Sequence, residues 1–342
     1  LVIVVTISGI YSFQNKRVAE KRKEIITTYE AIQTKTEGAI KAHKLGDTSK
    51  AKTLLNEAKA EIQTLGDVAY LATDIDALRA EINTAIEGIF NIVRLDDPKP
   101  LVDLSTLDET IKLGGLYKNG ATIVSFDKER HDAVIYRTDT QKADHISTST
   151  FDGTVTSIIP TSDPDVIVVL AKDPSGVYLY DTRSTGMAAV TQGFSGTWPN
   201  GVALDTYFGT LYMLVPSDNQ IYKYAGGGTN YGAAGSYIVD TSKADIADAV
   251  DIAIDSSIYV LKKDGTIVQF LNGEPTGFKI YGTPTLGTNT EGKDADQVLL
   301  SPIKIVTGSN MNRIYVADKG GNRVVVFDKD GDHGDGYHQD AD

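Results

Sequence analysis

An aromatic residue that recurs at a nearly constant spacing is the feature that most constrains the fold of this chain. The five positions after residue 110 are Tyr136, Tyr180, Tyr224, Phe270 and Phe327, at intervals of 44, 44, 46 and 57 residues. Each aromatic lies in a short stretch of alternating apolar residues that follows a more apolar stretch and a turn. Short strands that recur every 40 to 50 residues, in round numbers, are typical of a β-propeller, in which each repeat forms one four-stranded blade.

The strands within one repeat differ in their apolar pattern. The second strand is almost continuously apolar, as in residues 211–215 and 258–261, which predicts burial on both faces between neighbouring blades. The third strand alternates, the fourth is weak as edge strands often are, and turns such as 263–265 separate the second from the third. We therefore predict a mainly β protein with a five- or six-bladed propeller of four-stranded blades. A generic antiparallel sandwich is the alternative.

The last repeat carries the most distinctive motif. Its second and third strands read Asn312-Arg313-Ile314-Tyr315-Val316-Ala317-Asp318 and Asn322-Arg323-Val324-Val325-Val326-Phe327-Asp328-Lys329-Asp330-Gly331. This sequence resembles the NHL-type propeller repeat, which has a similar strand, an Asn-Arg turn and a strand that ends in Phe-Asp-x-x-Gly. The resemblance implies four-stranded blades, usually six of them, whereas five repeats are visible. Either residues 101–110 supply the outer strand that closes the ring, or a sixth blade is missing after residue 342.

The first eleven residues are almost entirely apolar, and Tyr11 and Phe13 lie where an interfacial aromatic belt is expected. A membrane-spanning helix needs about 20 apolar residues, so we interpret residues 1–13 as the last part of a transmembrane helix. A buried strand or core helix is the alternative. The polar flank that follows is basic, with Lys16, Arg17, Lys21, Arg22 and Lys23. The positive-inside rule puts this flank in the cytoplasm, whereas we expect an extracytoplasmic propeller, so the membrane orientation stays open.

Residues 14–95 show the apolar spacing of amphipathic helices. Three helices are predicted: one from about residue 14 to 43, one after the capping residue Asp47, and one that begins at Thr73 or Asp74. Gly46 ends the first helix and Gly66 ends the second. Regular apolar faces need helical partners, so we predict a helical hairpin or three-helix stalk, which also allows self-association.

A helix-breaking segment, Asp96-Asp97-Pro98-Lys99-Pro100, follows the helices. It predicts three parts: a transmembrane segment at 1–13, the stalk at 14–95 and the propeller at 96–342. The chain has a net charge of −13 and its acidic excess lies in the propeller, which disfavours binding of nucleic acid there. The sequence has no cysteine, which excludes disulfides, thiolate metal sites and a cysteine nucleophile.

Acidic residues alternate near the end of the chain, where Asp328, Asp330 and Asp332 are candidate ligands of a hard cation such as Ca²⁺. Compared with an EF-hand loop, His333 stands where Gly is required and Gln339 where Glu is required. An acidic hairpin loop, which the NHL-type pattern also implies, is the alternative. The inner strands carry none of the five histidines, which argues against the histidine-held metal of lyases with NHL-type propellers.

Two acids, Asp205 and Asp255, lie at the ends of inner strands, and we interpret them as equivalent positions of the third and fourth repeats. They are candidate ligand-binding groups in the central funnel, where a lactonase-type propeller would need carboxylate and Asn ligands. They fit the turn that follows equally well. The sequence contains no Gly-x-Ser-x-Gly elbow, P-loop or dinucleotide-binding motif, so we assign no catalytic residue.

Aromatic residues on Gly-rich loops provide a second set of candidate ligand-binding residues. Trp198, the only tryptophan, and Asn200 precede an inner strand near one mouth of the funnel. Tyr231 lies in the loop 225–232, which is rich in glycine. A single Trp on such a loop suits contact with a peptide or a sugar, and packing between blades is the alternative.

The order of the parts resembles bacterial membrane signalling proteins in which a PPM-type phosphatase precedes a transmembrane helix, a helical hairpin and an NHL-like propeller. This resemblance implies a membrane-anchored sensor whose propeller binds a protein, peptide or glycan without catalysis and without a cofactor. Two alternatives stay open. One is a hydrolase or lyase with its site in the funnel, and the other is a structural subunit that assembles through the N-terminal helix.

Overall fold

A computed structural model describes residues 2–66, 68–89, 93, 95, 98–127, 132–146, 153–161, 163, 165–184, 186–192, 196–276, 278, 299–329, 340 and 341. The described chain divides into two compact units. The first is built from the helices within residues 1–94, and the second from the strands within residues 95–280 and 299–331.

Three α-helices form the first unit: α1 (Val2–Lys44), α2 (Thr48–Thr64) and α3 (Ala72–Ile89). Their apolar faces meet in one core, in which Ile32, Leu55 and Ile82 are fully buried. The predicted caps are confirmed. The Asp47 carboxylate accepts a hydrogen bond from the Lys50 amide at the start of α2, and Gly46 and Gly66 have positive φ after the first two helices.

Helix α1 is longer than the sequence pattern predicts, because it begins at Val2 and includes the apolar N-terminal stretch. Among the described side chains of α1, those of residues 16–24 are exposed, and Ile25 packs against the helical core. None of the helices in the described ranges is both long enough and apolar enough to cross a membrane. This finding gives the predicted transmembrane segment at 1–13 no support.

The second unit is made of short strands. All strands are numbered here in chain order, together with the last one at residues 340–341, which lies outside this unit. They are β1 (Leu113–Asn119), β2 (Thr122–Asp127), β3 (Ala133–Arg137), β4 (Lys142–Ile146), β5 (Thr154–Pro160), β6 (Val166–Lys172), β7 (Gly176–Asp181), β8 (Gly186–Ala189), β9 (Thr191–Gln192), β10 (Ala203–Tyr207), β11 (Thr210–Val215), β12 (Gln220–Tyr224), β13 (Gly226–Gly227), β14 (Asn230–Tyr231), β15 (Gly235–Ser236), β16 (Ala249–Ile254), β17 (Ile258–Lys262), β18 (Ile267–Leu271), β19 (Glu274–Pro275), β20 (Pro302–Val306), β21 (Arg313–Asp318), β22 (Arg323–Asp328) and β23 (Asp340–Ala341). Short 3₁₀ helices lie at Leu104–Thr106, Pro216–Asp218 and Lys319–Gly321.

Within the described residues these strands form five four-stranded sheets, which are the blades of a propeller. Blades 1 to 5 have the strand orders β1-β2-β3-β4, β5-β6-β7-β8, β10-β11-β12-β15, β16-β17-β18-β19 and β20-β21-β22-β23. The inner strands β1, β5, β10, β16 and β20 lie side by side in this order. A small separate sheet joins β14 to β13 in antiparallel and to β9 in parallel orientation.

The core of the propeller lies between neighbouring blades, as the apolar second strands predict. All five recurring aromatics are buried on the third strands. Aromatic rings of neighbouring blades also contact each other, because Phe126 of blade 1 packs edge-on against Tyr180 of blade 2, with ring centroids 5.4 Å apart. The mainly β propeller with four-stranded blades is therefore confirmed.

Two details of the predicted ring are not supported. The described part of the chain contains five blades, so the six that the NHL-type resemblance implies do not appear there. Residues 101–110 contribute no strand, and a 3₁₀ helix occupies Leu104–Thr106 instead. The Asp103 carboxylate accepts hydrogen bonds from the amide and hydroxyl of Ser105, and such local bonds favour a turn over a strand.

Candidate functional site

Polar side chains recur at one position of the inner strands. Ser157, Asp251 and Lys304 each pair with a residue on the second strand of their blade. In all three blades, that second-strand residue lies three positions after the one that pairs with the recurring aromatic. Blade 3 has Ala203 at this position. Sequence reasoning did not single out Asp251 or Lys304, although a charged residue within an otherwise apolar strand was a usable signal.

These side chains connect neighbouring blades through backbone hydrogen bonds. The Ser157 hydroxyl accepts a bond from the Leu204 amide at 3.2 Å, which joins blades 2 and 3. The Asp251 carboxylate accepts one from the Ile305 amide at 2.7 Å, which joins blades 4 and 5. Each bond uses an inner-strand amide that points toward the previous blade. A buried N–H needs an acceptor, so the polar side chain stabilises the seam.

Asp205 makes the same kind of bond two residues further along its strand. Its Oδ2 accepts the Ile254 amide at 2.7 Å, which joins blades 3 and 4, and its Oδ1 accepts the Thr206 amide at 2.7 Å. Burial raises the pKa of Asp205 to about 7, with the two amides and Lys304 acting in the opposite direction. This carboxyl therefore titrates near neutral pH while it holds two backbone amides.

Asp251 and Lys304 form an ion pair across the seam between blades 4 and 5. The Lys304 Nζ lies 2.8 Å from the Asp251 Oδ1, and the side chains are 43% and 4% exposed, respectively. Burial raises the pKa of Asp251, and Lys304 is the main opposing influence. The carboxylate is thus a structural anchor for a lysine that still reaches solvent.

Asp255 lies in the turn after β16 and is not equivalent to Asp205, which corrects the sequence interpretation. In the strand pairing, Asp205 faces Tyr212, and the matching residue of blade 4 is Ala253. The Asp255 Oδ1 accepts the amide of Ser257 at 2.7 Å, and its Oδ2 lies 2.7 Å from the Lys329 Nζ of blade 5. The turn that sequence reasoning kept as an alternative therefore accounts for these contacts.

The two aromatic residues predicted to contact a ligand, Trp198 and Tyr231, are buried inside the protein. Trp198 is 9% exposed, its indole N–H donates to the Val190 carbonyl at 3.0 Å, and its ring lies 4.9 Å from that of Tyr224. Tyr231 is buried in the same apolar cluster between blades 2 and 3, whereas Asn200 is exposed. The geometry matches the alternative of packing between blades, and the ligand-binding role of the three residues stays a prediction.

The predicted calcium site falls mostly outside the described residues. Asp328 is the last residue of β22 and lies opposite Arg313 in the backbone pairing with β21. Asp330, Asp332, His333 and His338 lie outside the described ranges. Within those ranges, no group of three or more His, Cys, Asp or Glu side chains is arranged to hold a metal ion. The calcium site stays a prediction.

The hairpin between β10 and β11 presents an exposed aromatic that the sequence interpretation missed. Phe208 and Gly209 form its two-residue loop, and both have positive φ, at 46° and 77°. This is the geometry of a type I′ turn, where Asn-Gly is preferred and a bulky first residue costs about 1–2 kcal/mol. Phe208 is 87% exposed, the highest value among large apolar side chains in the described part of the chain, and its ring lies 4.5 Å from Tyr207.

An acidic group lies on the hairpins of blade 2. Arg183 reaches three carboxylates, with closest approaches of 3.0 Å to Asp163, 3.7 Å to Asp165 and 3.0 Å to Asp181. Hydrogen bonds from Arg183 lower the pKa of Asp181 to about 2, so this carboxylate is ionised at neutral pH. Three carboxylates around one guanidinium leave a local excess of negative charge.

Comparisons with known proteins do not assign a family to this chain. No protein-family model matches the chain, and no curated protein matches it either. The NHL-type family therefore remains a resemblance, and the likeness to PPM-phosphatase signalling proteins is not shown.

Three solved structures of diverse description are among those to which this chain shows a low similarity. They are a protein of unknown function from Bacteroides thetaiotaomicron (15% identity, 61% of this chain and 58% of that one, TM-score 0.43), a nidogen/laminin complex (13%, 64% and 76%, 0.43) and the calcium-binding regucalcin of Agrobacterium tumefaciens (16%, 66% and 75%, 0.44). The chain spans less than two thirds of the first of these proteins. Likeness at this level carries no argument about function.

Proposed function

We propose that the protein is a non-enzymatic binding module whose propeller recognises a protein, peptide or glycan, with the three helices as a stalk. The observation that supports it is the bonding of three acids, two on inner strands and one in the turn after an inner strand. Asp205, Asp251 and Asp255 are each bonded to backbone amides, and the latter two also to lysines of the next blade. Groups that hold the blades together are poorly placed to act on a substrate, so recognition falls to the exposed hairpins and loops.

An array of glycans and synthetic peptides, probed with the full chain, tests this function. We expect a restricted set of ligands, with binding that saturates at a stoichiometry of one per chain. Asn200→Ala tests the loop that sequence reasoning selected, because Asn200 is exposed whereas Trp198 is buried. Failure to bind on either array, combined with assembly of the full chain into large particles, contradicts this function and favours the structural-subunit alternative.

An enzymatic site in the funnel is the second candidate, and one observation favours it. Asp205 has a pKa of about 7, in the range that suits a general acid or base, and Lys304 is a source of positive charge near it. Both Asp205 oxygens already accept backbone amides, which counts against this role. Screening the full chain and Asp205→Asn against lactone and ester substrates separates the two functions, since an enzyme loses turnover in the variant.

We also propose that residues 1–13 attach the protein to a membrane and that the propeller is extracytoplasmic, as in a sensor. The support for the attachment is the apolar composition of this stretch and the basic residues that follow, such as Lys16 and Arg17, which favour an anionic membrane surface. The same basic residues count against the extracytoplasmic orientation by the positive-inside rule. Flotation with phospholipid vesicles, for the full chain and a variant without residues 1–13, tests the attachment. Equal flotation of the two proteins contradicts it.

A further inference from the structure

The exposed Phe208 lies at one mouth of the propeller. Inner strands of successive blades lie side by side and each second strand returns antiparallel, so the hairpins that join them open at the same mouth. The β7–β8 turn that carries Arg183 opens there too, because the third strand runs parallel to the first. Phe208 of blade 3 and the acidic group of blade 2 are therefore on adjacent blades at one end of the fold.

The conformation of this turn disfavours phenylalanine at position 208. Both residues of the loop have positive φ, and asparagine adopts this conformation more readily than phenylalanine. The ring gains little from burial, since 87% of the residue is exposed and its aromatic contact is Tyr207, the residue that precedes it. A residue that is strained and exposed points to a role outside the fold.

The charge of this mouth indicates what kind of partner fits. Asp163, Asp165 and Asp181 surround the single guanidinium of Arg183, and all four side chains are at least partly exposed. The chain as a whole has a net charge of −13. A cationic partner is attracted by both the local and the overall charge, and its Lys or Arg side chains can stack on an exposed aromatic ring.

We propose that Phe208 anchors a basic protein segment that docks across this mouth, with an apolar side chain on the Phe208 ring and Lys or Arg side chains against the acidic group of blade 2. The inference rests on the proposed binding function and gives it a site and a partner chemistry. Central aromatic anchors carry most of the affinity in such contacts, and rim charges mainly set the rate and the salt dependence.

A random dodecapeptide library selected on the full chain provides the probe, followed by fluorescence anisotropy with the recovered peptides. We expect peptides that combine Lys or Arg with an aliphatic or aromatic residue. Phe208→Asn is expected to raise Kd at least 30-fold, as for a hot-spot residue. The same variant is expected to raise Tm by about 2–4 °C, because Asn-Gly suits the type I′ turn, so a loss of binding is not a loss of folding.

Two controls locate the effect. Val239→Asn removes another exposed apolar side chain, 71% exposed, and is expected to leave Kd unchanged. Asp163→Asn combined with Asp165→Asn is expected to weaken binding about 3- to 10-fold and to flatten its salt dependence. The amide of residue 165 donates to the Asp163 Oδ1 at 3.0 Å, and Asp163→Asn keeps an oxygen for this bond, so the turn is preserved.

The outcomes separate this inference from the proposed function. If recovered peptides bind Phe208→Asn as tightly as the unmodified protein, the anchor is wrong. If they are acidic or uncharged, or bind independently of salt, the partner chemistry is wrong. Binding of a glycan with no peptide recovered overturns the inference but leaves the binding function in place, whereas an absence of both kinds of ligand overturns the two together.

Discussion

Replacing the recurring tyrosine of a blade by phenylalanine is expected to stabilise the propeller at some repeats and to destabilise it at another. Tyr180 and Tyr224 are fully buried, and their hydroxyls have no hydrogen-bond partner among the described residues. Burial raises the pKa of both groups to about 12. The hydroxyl of Tyr136, in contrast, donates to the Leu101 carbonyl at 3.1 Å. The same Tyr→Phe change therefore removes an unsatisfied polar group in two blades and a hydrogen bond in a third.

The magnitudes follow from the cost of an unsatisfied buried group. A buried hydroxyl without a partner costs about 1–3 kcal/mol, so Tyr180→Phe and Tyr224→Phe are each expected to stabilise the propeller by about 1 kcal/mol after allowance for the lost contacts of the oxygen. Tyr136→Phe is expected to destabilise it by about 0.5–1 kcal/mol, since the exposed Leu101 carbonyl can bind water instead. Blades 4 and 5 already carry Phe270 and Phe327 at this position.

Urea unfolding followed by far-ultraviolet circular dichroism and by fluorescence of the single tryptophan, Trp198, measures these effects. Trp198 packs between blades 2 and 3 and so reports on the propeller. The reasoning is refuted if Tyr180→Phe lowers the unfolding free energy by 1 kcal/mol or more, because the hydroxyl must then have a partner. It is also refuted if Tyr136→Phe is the most stabilising of the three.

Three further expectations concern charged groups. Lys304→Met leaves the Asp251 carboxylate buried without its cation, so we expect a loss of about 3 kcal/mol at pH 8. The loss is expected to be smaller at pH 5, because burial raises the pKa of Asp251 and a lower pH favours its neutral form; equal losses in urea unfolding at the two pH values contradict this. Asp205 has a folded pKa of about 7 and an unfolded one near 3.9, so its contribution to stability is present below pH 4 and is lost as pH rises toward 7. The stability difference between the unmodified protein and Asp205→Asn is thus expected to fall by up to about 4 kcal/mol over this range, and a difference that is constant with pH is the opposing result. Asp47→Ala removes the cap of α2 and is expected to cost about 1 kcal/mol in thermal unfolding of the helices, whereas Asp76→Ala, which removes an exposed pair with Arg79, costs less than half of that.

The parts of the fold that sequence reasoning predicts well are those with local signals. The blades follow from strands of characteristic pattern and a regular spacing, and the helix ends follow from Asp47, Gly46 and Gly66. Residues 101–110 mislead because Leu101-Val102-Asp103-Leu104 alternates like a strand. The short-range hydrogen bond that the Ser105 amide donates to the Asp103 carboxylate outweighs that pattern, and pairing with a neighbouring strand would be needed to favour a strand instead.

The candidate site is harder to predict because its contacts are not local. Trp198 lies on a Gly- and Pro-rich segment that reads as an exposed loop, yet its ring packs on Tyr224 from 26 residues further along the chain (224 − 198). The role of Asp251 depends on an amide and a lysine that lie 54 and 53 residues later. Single-sequence patterns report which face a residue occupies, but not which blade lies opposite it.

The seams between blades explain why polar residues in the funnel wall are weak evidence for chemistry in this protein. Ser157, Asp205 and Asp251 differ in charge and in position along the strand, yet each accepts an amide of the following inner strand. Blade 3 has Ala203 where its neighbours have Ser157 and Asp251, and Asp205 supplies the acceptor two residues later, on the same face of the strand. Different residue types at shifted positions thus supply the acceptor for the amide of the next inner strand. We interpret this acceptor as a requirement of packing between blades, because a catalytic group would have a fixed chemical type and a fixed position. Phe208, in contrast, is exposed at a hairpin tip and has a positive φ that phenylalanine disfavours, so we expect recognition at the mouth rather than in the funnel.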